Sequence, residues 1–306
     1  MFVVGDKLAR DVQNWLSPAD PWKIYSVACE LLYKGPETTE WFIRGNTFSE
    51  WKVFSPASHL WIHGKRPLLP SPLSFAGTNR SSSHSGLRKG SPLVCRAFDI
   101  SVLGTYHVAS SAIIQDIDAM RKAGLASLAI FYFDWKDDRK KDVQGLLSSL
   151  LVQLGNQSDS YHNVLSRFYE KRYNDVRYPN NDELVGCFKD LLRVPGTAPV
   201  YLILDALDEC SNTSALPSPR DEVLKFLKEL VNSQFPHLRI CVTSRLEADI
   251  QAVFASLAFR SISLHNKVDI DNYIKSFVNN DPMMENWKVD DKERAIKVLM
   301  EKADGR

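Results

Sequence analysis

Apolar residues recur along this chain with two periods, and the switches between them mark out its elements. The run His59-Leu-Trp-Ile-His-Gly64 ends in glycine, as a buried strand entering a tight turn does. From Ser110 the spacing turns helical, with Ile113, Ile114, Ile117 and Met120 on one face and Gly124 as the stop. Leu128-Ala-Ile-Phe-Tyr-Phe133, closed by Asp134 and a charged turn, reads as a central strand. Val143, Leu146, Leu147, Leu150, Leu151 and Leu154 then follow helical spacing with one buried face, and two more amphipathic helices are predicted at about 161–171 and 182–192. Val200-Tyr-Leu-Ile-Leu204 is a continuous apolar run ending in acidic residues, the form of a strand buried on both faces of a parallel sheet. Ser218 offers an N-cap, Pro219 a first helical position and Asp221 a reciprocal carboxylate for a helix whose stripe is Val223, Phe226, Leu227, Leu230 and Val231. This helix should end before Pro236. Leu238-Arg-Ile-Cys-Val242 and Phe259-Arg-Ser-Ile-Ser-Leu264 complete the strands, and after residue 268 the pattern is helical. Strands separated by helices predict a parallel α/β sheet.

Two stretches stand apart. Residues 1–58 carry Trp15, Trp22, Trp41 and Trp51 among short polar and proline-containing segments, and read as a lead-in whose tryptophans dock on the body. Residues 66–109 hold eight Ser, four Pro and four Gly but a single acidic residue, Asp99, and follow neither period. A structureless stretch of that length is uncommon inside a compact domain, so it reads as an atypical disordered insertion. The expected organisation is a lead-in over 1–58, a core over 59–265 containing that insertion, and the start of a helical lid over 266–306, which looks cut in mid-domain.

Composition narrows the function classes. The 306 residues are 44% hydrophobic and 25% charged, the balance of a folded globular protein. A net charge of +1 leaves no field to draw in nucleic acid or an acidic membrane. The five cysteines are scattered, with no CxxC or Cys/His spacing for zinc, and no apolar run reaches the roughly 18 residues of a membrane helix. These features place the chain in a reducing compartment, the cytoplasm. The seven histidines show no metal spacing either, and His59 and His63 read as strand-edge residues.

The chemistry concentrates after the 200–204 strand, where Asp205, Asp208 and Glu209 fall within five positions. Carboxylates at the end of a parallel strand can hold magnesium against phosphate oxygens and polarise an attacking water. An ordinary strand capped by solvated acids is the plainer alternative, and three acids so close together favour the chemical one. Thr243, Ser244 and Arg245 end the next strand, where hydroxyls and a guanidinium could sense a terminal phosphate; alone they also suit a helix N-cap and a solvated arginine.

The series His59-Leu-Trp-Ile-His-Gly-Lys65, Phe131-Tyr-Phe-Asp-Trp135, Gly145-Leu-Leu-Ser-Ser-Leu150, Leu204-Asp-Ala-Leu-Asp-Glu-Cys210 and Val242-Thr-Ser-Arg245 resembles fungal NACHT-domain proteins with a nephrocystin-like N-terminal region. The likeness covers about 11–65 and 110–306. It implies a signal-transducing P-loop NTPase of the STAND class that binds ATP with magnesium and switches by self-association. It further implies a five-stranded core with the 238–242 strand between those at 59–64 and 200–204. Carried over by position, Asp205 is the magnesium-binding acid of the Walker B strand, Asp208 and Glu209 the water-activating pair and Arg245 the sensor arginine, with Gly64, Lys65 and Thr243 beside the nucleotide.

One departure qualifies the resemblance. A P-loop reads GxxxxGK[ST], whose amides cradle phosphate while Lys reaches the β and γ oxygens, and no such sequence occurs here. The chain passes from Gly64-Lys65 straight into the 66–109 stretch. Two origins fit: translated non-coding sequence such as a retained intron, or a degenerated loop. The foreign composition and abrupt edges favour the first. The chain is therefore expected to be a fragment of an ATP-dependent signalling switch with impaired nucleotide binding, or else a non-catalytic protein-interaction scaffold for an unknown protein partner.

Overall fold

The computed structural model describes residues 3–22, 24–26, 29, 43–53, 58–64, 109–172, 178–214, 216–257, 259–263, 275, 278–279, 284 and 287–303. Its centre is an all-parallel sheet of β1 (Ser58–Gly64), β2 (Ser127–Tyr132), β3 (Val200–Asp205), β4 (Leu238–Arg245) and β5 (Arg260–Ser263) in the order β2-β3-β4-β1-β5. β4 thus lies between β1 and β3, the arrangement the resemblance implies.

Alternation along these strands builds two cores, one on each face. Trp61, Phe131, Leu202, Leu204, Ile240 and Val242 point to one side. They pack with α4 (Val143–Gly155), α5 (Asp159–Arg172), α6 (Asn181–Leu192), α7 (Pro219–Asn232) and α8 (Ala248–Ser256). Leu60, Ile62, Leu128, Ile130, Tyr201 and Ile203 point to the other side, against α2 (Asn46–Val53) and α3 (residues 109–122). Helices on both faces of a parallel sheet make the three-layer α/β fold expected of a P-loop-type core.

Local signals in the chain set the boundaries. Ser218 and Asp221 exchange reciprocal hydrogen bonds and Pro219 opens α7. Gly124 closes α3 at φ +72°, a left-handed conformation open to glycine without strain. Asp142 caps α4 by accepting from the Gly145 N–H at 2.8 Å.

Several expectations need correcting. The Leu128–Phe133 run is not a central strand: β2 is an edge of the sheet. β1 is interior, so His59 is a buried residue of a central strand. Thr243, Ser244 and Arg245 belong to β4 itself, because β1 pairs with them as far as Gly64. Ala109, the last residue of the stretch read as an insertion, is helical and buried. Residues 66–108 lie outside the described residues, as do Lys65 and Trp41.

The lead-in docks through some of its tryptophans. In α1 (Val3–Leu16), Trp15 meets Phe168 and Tyr169 of α5 at ring separations of 5.5 and 5.2 Å. Trp51 is fully buried on the sheet and donates its Nε1–H to the Ile240 carbonyl at 3.1 Å. Trp22 departs from this pattern, being 44% exposed and edge-on to Tyr25. Of the expected lid, α9 (Val289–Ala303) is described, and no described helix is long and apolar enough to cross a membrane.

Candidate functional site at the carboxyl ends of β1, β3 and β4

α3, the next described helix after β1, packs on one face of the sheet, and α8, which follows β4, packs on the other. Adjacent parallel strands whose connections diverge open a crevice beyond their carboxyl ends. The residues around this point are Gly64, Asp205 and the Thr243–Arg245 run, and Gly64 stands opposite Arg245 in the β1–β4 register.

Asp205 ends β3 and is 1% exposed. Its Oδ1 accepts the Thr243 hydroxyl at 2.6 Å. Thr243, fully buried in β4, also accepts the Ala206 N–H at 2.9 Å. That second bond holds Ala206 at φ +56°, which costs a non-glycine residue about 1–2 kcal/mol. The left-handed step turns the chain into the short 3-10 helix Leu207–Glu209, which carries Asp208 back towards β4. The Asp205 carboxylate is felt on both sides. Burial first, and Asp205 second, push up the phenol of Tyr132, its partner across β2, and the thiol of Cys241 in β4.

Asp208 has a single residue as partner for both its oxygens. Oδ1 accepts the Arg245 backbone N–H at 2.9 Å, and Oδ2 pairs with Arg245 Nε at 3.1 Å. The carboxylate is only 7% exposed and the guanidinium 29%. Glu209 sits half-buried in the same turn.

A family model, Nephrocystin 3, N-terminal, matches residues 107–245. The match runs from the start of α3 to the last residue of β4, so it takes in Asp205, Asp208, Glu209, Thr243 and Arg245 and leaves out β1. No curated protein matches the chain. The matched segment begins where helical periodicity resumes in the sequence.

One residue of this matched region escaped the sequence reading. Arg220, 7% exposed, stands in the first turn of α7. Its Nε donates to the Cys210 carbonyl at 3.2 Å, a terminal nitrogen donates to the Asp208 carbonyl, and the other pairs with Asp249 of α8 at 3.3 Å. The Arg245–Asp249 segment is therefore tied to the acidic turn at both ends, by Asp208 at one and Arg220 at the other. A signal was present in the sequence: a cation in the first turn of a helix opposes the macrodipole and needs another reason to be there.

The residues fit one side of a magnesium nucleotide. A strand-end carboxylate oriented by a threonine is a hard oxygen donor of the kind magnesium takes. The phosphate side lacks its cradle, since GxxxxGK[ST] is absent from the sequence. Among the described residues no cluster of three or more His, Cys, Asp or Glu could hold a metal ion by itself.

Proposed function

We propose that this chain is the core of a NACHT-type ATP-binding signalling switch whose nucleotide binding is impaired. The observation that carries this reading is the Asp205–Thr243 pair, buried at the carboxyl ends of adjacent parallel strands beside Gly64 of β1. In this reading Asp205 would hold a Mg2+ ion, which would supply charge neutralisation at the phosphates. Thr243 orients the carboxylate. Asp208 or Glu209 takes up the proton of a water, and Arg245 answers the terminal phosphate once released from Asp208. Self-association of the core is the output, as in switches of this class.

A second reading is favoured by two observations: the missing phosphate cradle, and the Asp208–Arg245 pair, which engages two of the proposed catalytic groups with each other. In it the chain is a non-catalytic scaffold that acts through protein contacts. Titration with a fluorescent ATP analogue and magnesium, beside Asp205→Asn, separates the two. Saturable micromolar binding that weakens at least tenfold in the variant supports the switch. No binding up to millimolar nucleotide, from a chain whose circular dichroism shows it folded, rejects the switch and leaves the scaffold.

A further inference from the structure

β2 is an edge strand written like a central one. Ser127-Leu-Ala-Ile-Phe-Tyr132 is buried at every position and carries no charge and no proline. An uncovered edge of that composition is a template for pairing with another chain. Its inner side is satisfied by β3, towards which Ser127 and Phe133 donate to Pro199 and Asp205 carbonyls. The outer side belongs to Leu128, Ile130 and Tyr132, of which the first two are met by side chains at the end of α4.

Gln153 of α4 and Gln157 in the turn that follows it meet that outer side amide to amide. The Ile130 N–H donates to Gln153 Oε1 at 3.0 Å, and Gln153 Nε2 donates to the Ile130 carbonyl at 2.7 Å. The Leu128 N–H donates to Gln157 Oε1 at 2.9 Å, and Gln157 Nε2 donates to the Leu128 carbonyl at 2.6 Å. Each pair copies the two-bond exchange of an antiparallel hydrogen-bonded pair. The spacing suits this: four residues of helical rise are about 6 Å, close to the roughly 6.6 Å between alternate residues of a strand, and the turn after α4, where the Gln157 N–H donates to the Leu154 carbonyl at 2.9 Å, carries the second glutamine. The remaining amide protons are used too, Gln153 on Ser149 Oγ at 3.0 Å and Gln157 on the Gln153 carbonyl at 2.9 Å. Turning either amide over would set its NH2 against a backbone N–H, so the orientation is fixed by its partners.

We infer that Gln153 and Gln157 act as a surrogate sixth strand that closes the β2 edge against strand addition by a second copy of this chain. Self-association of the core is thereby directed to surfaces other than this edge. The inference stands apart from the nucleotide reading, since none of its residues lies at the carboxyl-end site.

Residue-resolved hydrogen exchange tests it, together with sedimentation across a concentration series. In the parent chain the Leu128 and Ile130 amides should be protected to the same order as those of Ala129 and Phe131. In Gln153→Ala/Gln157→Ala, protection at 128 and 130 should fall at least tenfold in dilute solution while 129 and 131 hold. Raising the concentration should then yield dimers or larger species and restore protection at 128 and 130. Open-edge exchange at these amides in the parent, or association without renewed protection, overturns the inference. So does a double variant that exposes the two amides yet keeps the parent's association state. Should the double variant not fold, Gln157→Ala alone, which removes the acceptor of the Leu128 N–H, must expose residue 128 selectively, and failure to do so counts against it equally.

Discussion

Arg245 binds Asp208 with two unlike parts of itself, its main-chain amide and its side-chain Nε. One contact survives any change of the Arg245 side chain short of proline, and the other does not. Arg245→Ala should therefore leave the acidic turn in place but strand a nearly buried carboxylate with only its amide partner. We expect a loss of about 1–2 kcal/mol, below that of a fully buried pair because the guanidinium is partly in water. Urea unfolding of Arg245→Ala beside Asp208→Asn measures it, with Asp208→Asn the milder of the two because it removes the stranded charge.

Arg220 is held differently, by two carbonyls and one carboxylate. Arg220→Met keeps much of the volume and removes every donor, and should cost about 2–4 kcal/mol. Asp249→Asn should cost under about 1 kcal/mol, since Asp249 is 34% exposed. Equal losses in thermal unfolding would show that the ion pair, and not the grip on the turn, is what matters.

Thr243→Val deletes one hydroxyl from a buried three-way contact, leaving the Ala206 N–H and one oxygen of Asp205 without it. The expected loss is about 2–3 kcal/mol, and Thr243→Ser should restore most of it. Loss without recovery in the serine variant would place the effect in the methyl group's packing instead.

His59 supplies a pH dependence. Burial foremost, and Arg239 beside it, hold its imidazole down to about 4, so the folded chain keeps it neutral where the unfolded chain protonates it. The unfolded state binds the extra proton between about pH 6.5 and 4, and stability falls as pH drops through that window, by up to about 1.4 kcal/mol per unit. His237 is shifted the same way, again mainly by burial. Denaturation midpoints at pH 7 and 4.5 should converge markedly in His59→Phe, whose ring keeps the tilted contact with Phe259. An unchanged pH slope in that variant would exclude His59 as the source.

The strands and helices were legible because their signals are local. The Ser218-Pro219-Asp221 cap, the Gly124 stop and the apolar run before Asp205 each act within a few residues, and each element lies where they predict. Sheet order does not follow from such signals and came from the resemblance. The place of β2 was misread for a physical reason: a strand whose open edge is covered by side chains carries the same apolar sequence as one flanked by strands. The residues that meet beyond β3 and β4 were legible as a list, Asp205, Asp208, Thr243 and Arg245, but not as a pairing. That Thr243 serves Asp205 and Arg245 engages Asp208 depends on the left-handed turn at Ala206, which no glycine announces.

The sheet order also bears on how this chain is made. β1 is flanked by β4 and β5, and neither exists until the ribosome has travelled from residue 64 to residue 238 and beyond. At synthesis rates of about 5–20 residues per second that interval is roughly 10–35 s. Through all of it the run around Leu60, Trp61 and Ile62 has both flanks unpaired. An interior strand is thus the one left waiting longest for its neighbours, so the nascent chain exposes apolar surface that the finished sheet covers.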